Sequence, residues 1–235
     1  TGSSRGIGYS IAKKLSEEGC EIALNSRNKR SLDIAAESIP NSIPIIGDVT
    51  QEKDSINIVN EFKKIFGDID ILICNVGSGK SVFPGNENLN EWKRMFEINF
   101  WSATNIIESS KENLVKTKGS IVCISSICGL ETIDNAPLTY STAKAALNSY
   151  VKGLSRVLGK DGVRINAIAP GNILFEGSTW SKRIADDKKS TYEMIRDKVP
   201  LNRFGSVEDV ANMACFLSSS LSSNVTGTIF STDGG

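Results

Sequence analysis

The sequence predicts an α/β fold, a doubly wound parallel sheet covered by helices on both faces. Three observations predict it. Short apolar runs alternate with helix-period segments along the whole chain, most of the runs stop at polar, Gly or Pro positions, and a glycine-rich turn opens directly into an amphipathic helix. With 235 residues and no linker, repeat or low-complexity tract, the chain reads as a single domain over 1–235.

Each element follows from its pattern. Residues 7–18 place Ile7, Ile11, Ala12 and Leu15 on one helical face. A strand over 20–25 and a polar turn lead to a helix over 31–38. A strand over 43–46 ends at Gly47-Asp48, and 52–66 is again amphipathic. The apolar run 69–74 is a strand ending at Asn75-Val76-Gly77. A loop over 77–88 precedes one long helix, about 89–115. Strands over 120–125 and 163–169 flank a helix over 140–158. Helices at about 181–197 and 207–217 precede a last strand, 227–231. A glycine-rich turn of this kind leaves the end of a central strand. None precedes Thr1, so the first central strand is expected to be missing from these residues, which would be part of a longer protein.

Composition narrows the function. Lys plus Arg (27) equals Asp plus Glu (27), leaving no global field for nucleic acid or an anionic membrane. No apolar run is long enough to span a bilayer. Five cysteines, an odd number lying mostly in or beside apolar runs, fit buried thiols in a reducing compartment, so a cytoplasmic location is expected. With no histidine, Ser-His-Asp and Cys-His catalysis and histidine-ligated zinc are excluded, and no metal is expected.

The chemistry is carried by Tyr140 and Lys144, one helical turn apart on the same face. A phenol can protonate a carbonyl oxygen, and a neighbouring ammonium stabilises the phenolate left behind. Gly2, Gly6 and Gly8 let the backbone turn sharply and approach a pyrophosphate at a helix start. Together they equip a chain to reduce a ketone or oxidise an alcohol. Ser26 stands at the end of the strand over 20–25, where an acidic residue would favour NAD. Arg27 beside it and Arg5 in the turn suit a 2'-phosphate, and so NADP(H).

Thr1-Gly-x-x-x-Gly-x-Gly8, Asn75-x-Gly77, Asn99, Ser126, Tyr140-x-x-x-Lys144 and Pro170-Gly171 follow one another in the order of the short-chain dehydrogenases/reductases. The resemblance covers the whole chain and is greatest to the 3-oxoacyl-[acyl-carrier-protein] reductases. It implies a Rossmann-type fold, with Ser4 and Ile7 joining the glycines and Arg5 around the cofactor. Asp48 and Val49 would lie beside the adenine, Asn75 and Gly77 near the cofactor, and Ile173 after Pro170-Gly171 at the nicotinamide carboxamide. Phe175 stands where a threonine commonly bonds the cofactor, with Ser178 or Thr179 as substitutes. Tyr140 is then the general acid, and Lys144 also holds the nicotinamide ribose. Ser126, preferred to Ser125, polarises the substrate, and Asn99 fixes a water in a proton relay. A homotetramer is implied, with one interface on the 89–115 and 140–158 helices and the other on the last strand and the helix before it.

The substrate cleft is expected between 77–88 and 172–198, beyond the carboxyl ends of the strands. Lys80 is a candidate partner for an anionic group, and Phe83, Phe175 and Trp180 for an apolar surface. The first reading is reduction of a 3-oxoacyl thioester, carried on acyl-carrier protein. The alternative is a sugar or sugar-phosphate in surface-polysaccharide or nonulosonate synthesis. A non-catalytic NADP-binding protein is the third.

Overall fold

The computed structural model describes residues 1–235 and contains six strands, all parallel to their neighbours. β1 (Ile22–Ser26) pairs with β2 (Ser42–Ile46). β3 (Ile71–Cys74), β4 (Ser120–Ile124), β5 (Arg164–Pro170) and β6 (Ile229–Thr232) form a second segment in that order. Thr1–Ser3 lies between the two. The Thr1 nitrogen donates to Ile73 O (2.9 Å) on one side, and the Ser3 amide donates to Asn25 O (2.9 Å) on the other. The glycine-rich turn therefore sits where the chain switches from one half of the sheet to the other, the usual ligand crevice of such folds.

Strand alternation decides what each face buries. Ile121 and Cys123 of β4 point into one core with residues of α3 (Glu52–Phe66), α5 (Ser102–Thr117) and α6 (Leu138–Leu158). Val122 and Ile124 point into the other, with residues of α1 (Gly6–Glu17), α2 (Lys29–Ser38) and α9 (Val207–Ser218). All five residues of β4 are buried, as befits an inner parallel strand covered on both sides.

Two expected helices are divided. The long 89–115 helix is α4 (Leu89–Phe96) and α5, joined by a π-turn at Glu97–Trp101. The segment reads as one helix in the sequence because the extra residue is absorbed without breaking the helix. The expected 181–197 helix is α7 (Thr179–Asp186) followed by α8 (Lys188–Lys198). Asp187 separates them in extended backbone, its side chain accepting from the Ser190 amide (3.0 Å) to start α8. No helix is long and apolar enough to cross a membrane.

Candidate active site

The glycine-rich turn is built by close approach. A side chain at Gly8 would meet Asn75 Nδ2 at 2.4 Å and Gly2 O at 2.6 Å. Asn75 explains that crowding, because its amide donates to Thr1 O and Gly2 O (3.0 Å each). Asn75 thus holds the turn in shape. No side chain caps α1 at Arg5, so the first amides, at Gly6, Ile7 and Gly8, are available to an anion. Arg5 is exposed beside them, and Ser4 is half-buried in the same turn.

The residues expected at the adenosine end lie at the end of β1 and after β2. Ser26 is tied to its own turn, accepting from the Asn28 amide (3.0 Å). Arg27 is exposed and reaches Asp48 Oδ2 at 3.3 Å. Burial raises the Asp48 carboxyl pKa, but hydrogen bonds from Thr50 and the Arg27 charge outweigh it and hold the group below its ordinary value. Val49 is 2% exposed and its side chain belongs to the core, so its backbone is the part that faces a cofactor there. Ile173 is likewise buried and packs on Gly205. Gly171 permits Asp233 to approach, since a Cβ there would lie 2.7 Å from Asp233 Cβ.

Tyr140 and Lys144 project from the first two turns of α6. Gly129 lets the segment after β4 lie against that helix, with no room for a Cβ within 2.7 Å of the Lys144 backbone. This brings Ser126 to Tyr140. Burial pushes the phenol up to about 12, while the Ser126 hydroxyl beside it acts in the opposite sense. Lys144 is 2% exposed and donates to Ile124 O (2.8 Å). Burial lowers its pKa to about 8, against the opposing influence of the Cys123 and Cys74 thiols. Ser125 is committed elsewhere, its hydroxyl bonded to Asn148 Oδ1 at 2.6 Å.

Asn99 lies in the π-turn and is 1% exposed. Its side chain accepts from the Ser78 amide (2.9 Å) and donates to Ser78 O (3.0 Å). A Cβ at Gly77 would sit 3.0 Å from both Asn99 Oδ1 and Lys144 Nζ, so the three residues meet at one point. The expected aromatic surface is not assembled. Trp180 packs on Phe204 (5.5 Å between centroids) and under the Arg183 guanidinium (4.9 Å), whereas Phe83 is 73% exposed. The Phe175 ring lies on the glycine-rich turn, 2.6 Å from where a Gly6 Cβ would stand. Ser178 is no free substitute, because its hydroxyl accepts from the Phe175 and Ser181 amides and caps α7. Thr179 is exposed at the start of that helix.

Sequence reasoning missed Ser81, Glu91, Arg94 and Thr139, which form a bonded cluster beside Tyr140. The available signal was Asn88-x-x-Glu91, a helix-start pattern with Arg94 one turn on.

A family model described as "Enoyl-(Acyl carrier protein) reductase" matches residues 2–235. A 3-oxoacyl-[acyl-carrier-protein] reductase of Aquifex aeolicus is 32% identical, across 100% of this chain and 94% of that protein. The chain belongs to the short-chain dehydrogenase/reductase family. Other short-chain dehydrogenases/reductases similar to it act on different molecules by name. A gluconate 5-dehydrogenase of Gluconobacter oxydans is 32% identical over 100% of this chain and 92% of that protein. The crystal structure of L-sorbose reductase from Gluconobacter frateurii, complexed with NADPH and L-sorbose, superimposes with a TM-score of 0.92. It is 28% identical, covering 100% of this chain and 93% of that one.

Short-chain dehydrogenases/reductases use a nicotinamide dinucleotide, and the residues here fit one. The helix start is uncapped, Gly6 and Gly8 leave no room for side chains, and Arg5 beside them and Arg27 after β1 are both exposed. Gly6 is the sensitive point. Its φ of +59° disfavours any L side chain, and the Phe175 ring fills the space a methyl would need. Gly6→Ala is expected to weaken NADPH binding at least tenfold in a fluorescence titration. An unchanged Kd would mean that this turn does not seat the dinucleotide.

Proposed function

We propose that this enzyme reduces the ketone of a polar, sugar-like substrate with NADPH, and oxidises the corresponding alcohol in reverse. The observation that carries ketone reduction is the convergence of Ser126, Tyr140 and Lys144 beside an uncapped helix start lined by glycine. When bound, NADPH supplies the hydride.

The chain's own groups do the rest. The Ser126 hydroxyl donates to the substrate oxygen and stays aligned as charge grows there. Tyr140, with its pKa at about 12, is fully protonated near neutral pH and passes its proton to that oxygen. The Lys144 ammonium stabilises the phenolate that remains. One of its protons is held by Ile124 O, and the others are free for the ribose and for the water-filled path that Asn99 would anchor. Asn75 and the glycine-rich turn set the dinucleotide, with Arg5 and Arg27 on its 2'-phosphate. The exposed Arg27–Asp48 contact is weak enough to give way to a phosphate.

Two relatives support a sugar-like substrate, since one is named for gluconate and the other for L-sorbose. Lys80 supports an anionic substituent on it. It follows the glycine that faces the Tyr140 ring, is exposed, and has no carboxylate partner, whereas nearby Arg94 is paired with Glu91. The homotetramer belongs to the same reading, supported by exposed Trp101 at the head of α5 and Val157 on α6. The test is NADPH oxidation with a neutral ketose, a keto-sugar acid or phosphate, and a 3-oxoacyl thioester. The anionic keto-sugar is expected to be the best substrate, with Lys80→Gln raising its KM about tenfold and that of the neutral ketose less than twofold. Efficient turnover of the thioester alone would move the enzyme to acyl-chain reduction.

A further inference from the structure

The turn Ser78–Ser81 reaches the catalytic tyrosine and is held there from three directions. Asn99 brackets both backbone polar groups of Ser78. A Cβ on Gly79 would lie 3.8 Å from Tyr140 Cε1 and Cζ, so this residue packs against the phenol ring. Beyond it, Arg94 Nη2 donates to Lys80 O (2.8 Å). Ser81 Oγ stands 2.6 Å from Glu91 Oε1 and 2.7 Å from Thr139 Oγ1.

The direction of these bonds is fixed by chemistry. Glu91 is ionised, its carboxyl held at about 2 by Arg94 first and Ser81 second, so it can only accept. The single Ser81 proton therefore goes to Glu91, and Thr139 must donate to Ser81. Arg94 locks the carboxylate through two bonds, Nε to Oε2 (2.8 Å) and Nη2 to Oε1 (2.5 Å). Thr139 is fully buried and is the residue before Tyr140. The result is a continuous chain from the surface arginine of α4 to the start of α6, with the cleft-lining turn tied in at two points.

We propose that Arg94, Glu91, Ser81 and Thr139 are positioning residues that hold the Gly79–Lys80 turn against Tyr140 and thereby keep in place the wall that binds the substrate. None of the four belongs to the glycine-rich turn or the adenosine end. The cofactor therefore binds independently of them, and their loss is read in substrate affinity. This rests on Tyr140 being the proton donor, and it holds for either class of ketone.

The experiment uses full-length enzyme and whichever ketone it reduces best, keto-sugar or 3-oxoacyl thioester, so failure of the substrate assignment leaves this test intact. Ser81→Ala is expected to raise KM about tenfold, with kcat within threefold and the NADPH Kd within twofold. Ser81→Thr, which keeps the hydroxyl, is expected to restore most of the affinity. Glu91→Gln should match Ser81→Ala, and the double variant should be no more than about twice as impaired as either, because both cut one chain. Unchanged KM in Ser81→Ala, or penalties that multiply, would overturn the proposal. So would a parallel loss of NADPH binding, which a general unfolding of the region would produce. If Glu91→Gln proves unstable, the Ser81 pair decides alone.

Discussion

Tyr140→Phe is expected to lower ketone reduction on the order of 10³-fold while leaving the NADPH Kd within about threefold. The substitution removes one hydroxyl from a ring whose packing against Gly79 is otherwise preserved. Ser126, the hydroxyl beside the phenol, is a far weaker acid, and the chain contains no histidine. Stopped-flow measurement of NADPH oxidation beside a binding titration separates the two effects. Retention of more than a tenth of wild-type rate would remove Tyr140 from the proton-transfer role. Wild-type protein that binds NADPH tightly and turns over none of the ketones would instead mark a sensor or scaffold.

Lys144→Met should abolish activity and yet stabilise the fold. Burial lowers this ammonium from 10.5 to about 8, which corresponds to about 3 kcal/mol of destabilisation at neutral pH. Part of that gain is lost when Ile124 O is left without its partner, about 1 kcal/mol or more. A net rise in Tm of about 2–6 °C at pH 7 is expected for a chain of this size. The pH dependence gives the sign. Below pH 8 the lysine is charged in both folded and unfolded states, and the penalty is complete. Between about 8 and 10.5 the folded protein has released the proton and the unfolded chain has not, so wild-type stability rises with pH. The advantage of the methionine variant should therefore shrink through that window in differential scanning fluorimetry. An advantage that grew with pH would contradict a buried ammonium.

Much of the site was legible because it depends on residue types at fixed spacing. Tyr140 and Lys144 declare themselves by one helical turn, and the glycines by the tight turn they permit. The crowding of Asn75, Gly2 and Gly8 shows why no larger residue would serve. The parallel α/β order was legible from periodicity alone. What remained hidden depends on contacts between distant residues. The resting place of the Phe175 ring on Gly6 is set by how the segment after β5 folds back, and nothing in the local pattern specifies it. Ser81 and Thr139 are 58 residues apart, and each looks like an ordinary loop or helix-start residue. The choice of Ser126 over Ser125 also becomes physical only once Asn148 is seen to occupy the latter.

The π-turn at Glu97–Trp101 has an evolutionary consequence. One residue too many in a helical turn rotates everything on one side of it by about 100° relative to the other. Here that offset lets Asn99 face the site while Ile106 and Ile107 further along still bury themselves against the sheet. Most side chains in the segment could drift without moving the backbone. A one-residue deletion could not be absorbed, because it would restore a regular helix and force either Asn99 or the α5 core face out of phase. Descendants of this sequence should therefore keep Asn99 and the length of the segment between Glu97 and Trp101, while the other residues there vary in spelling.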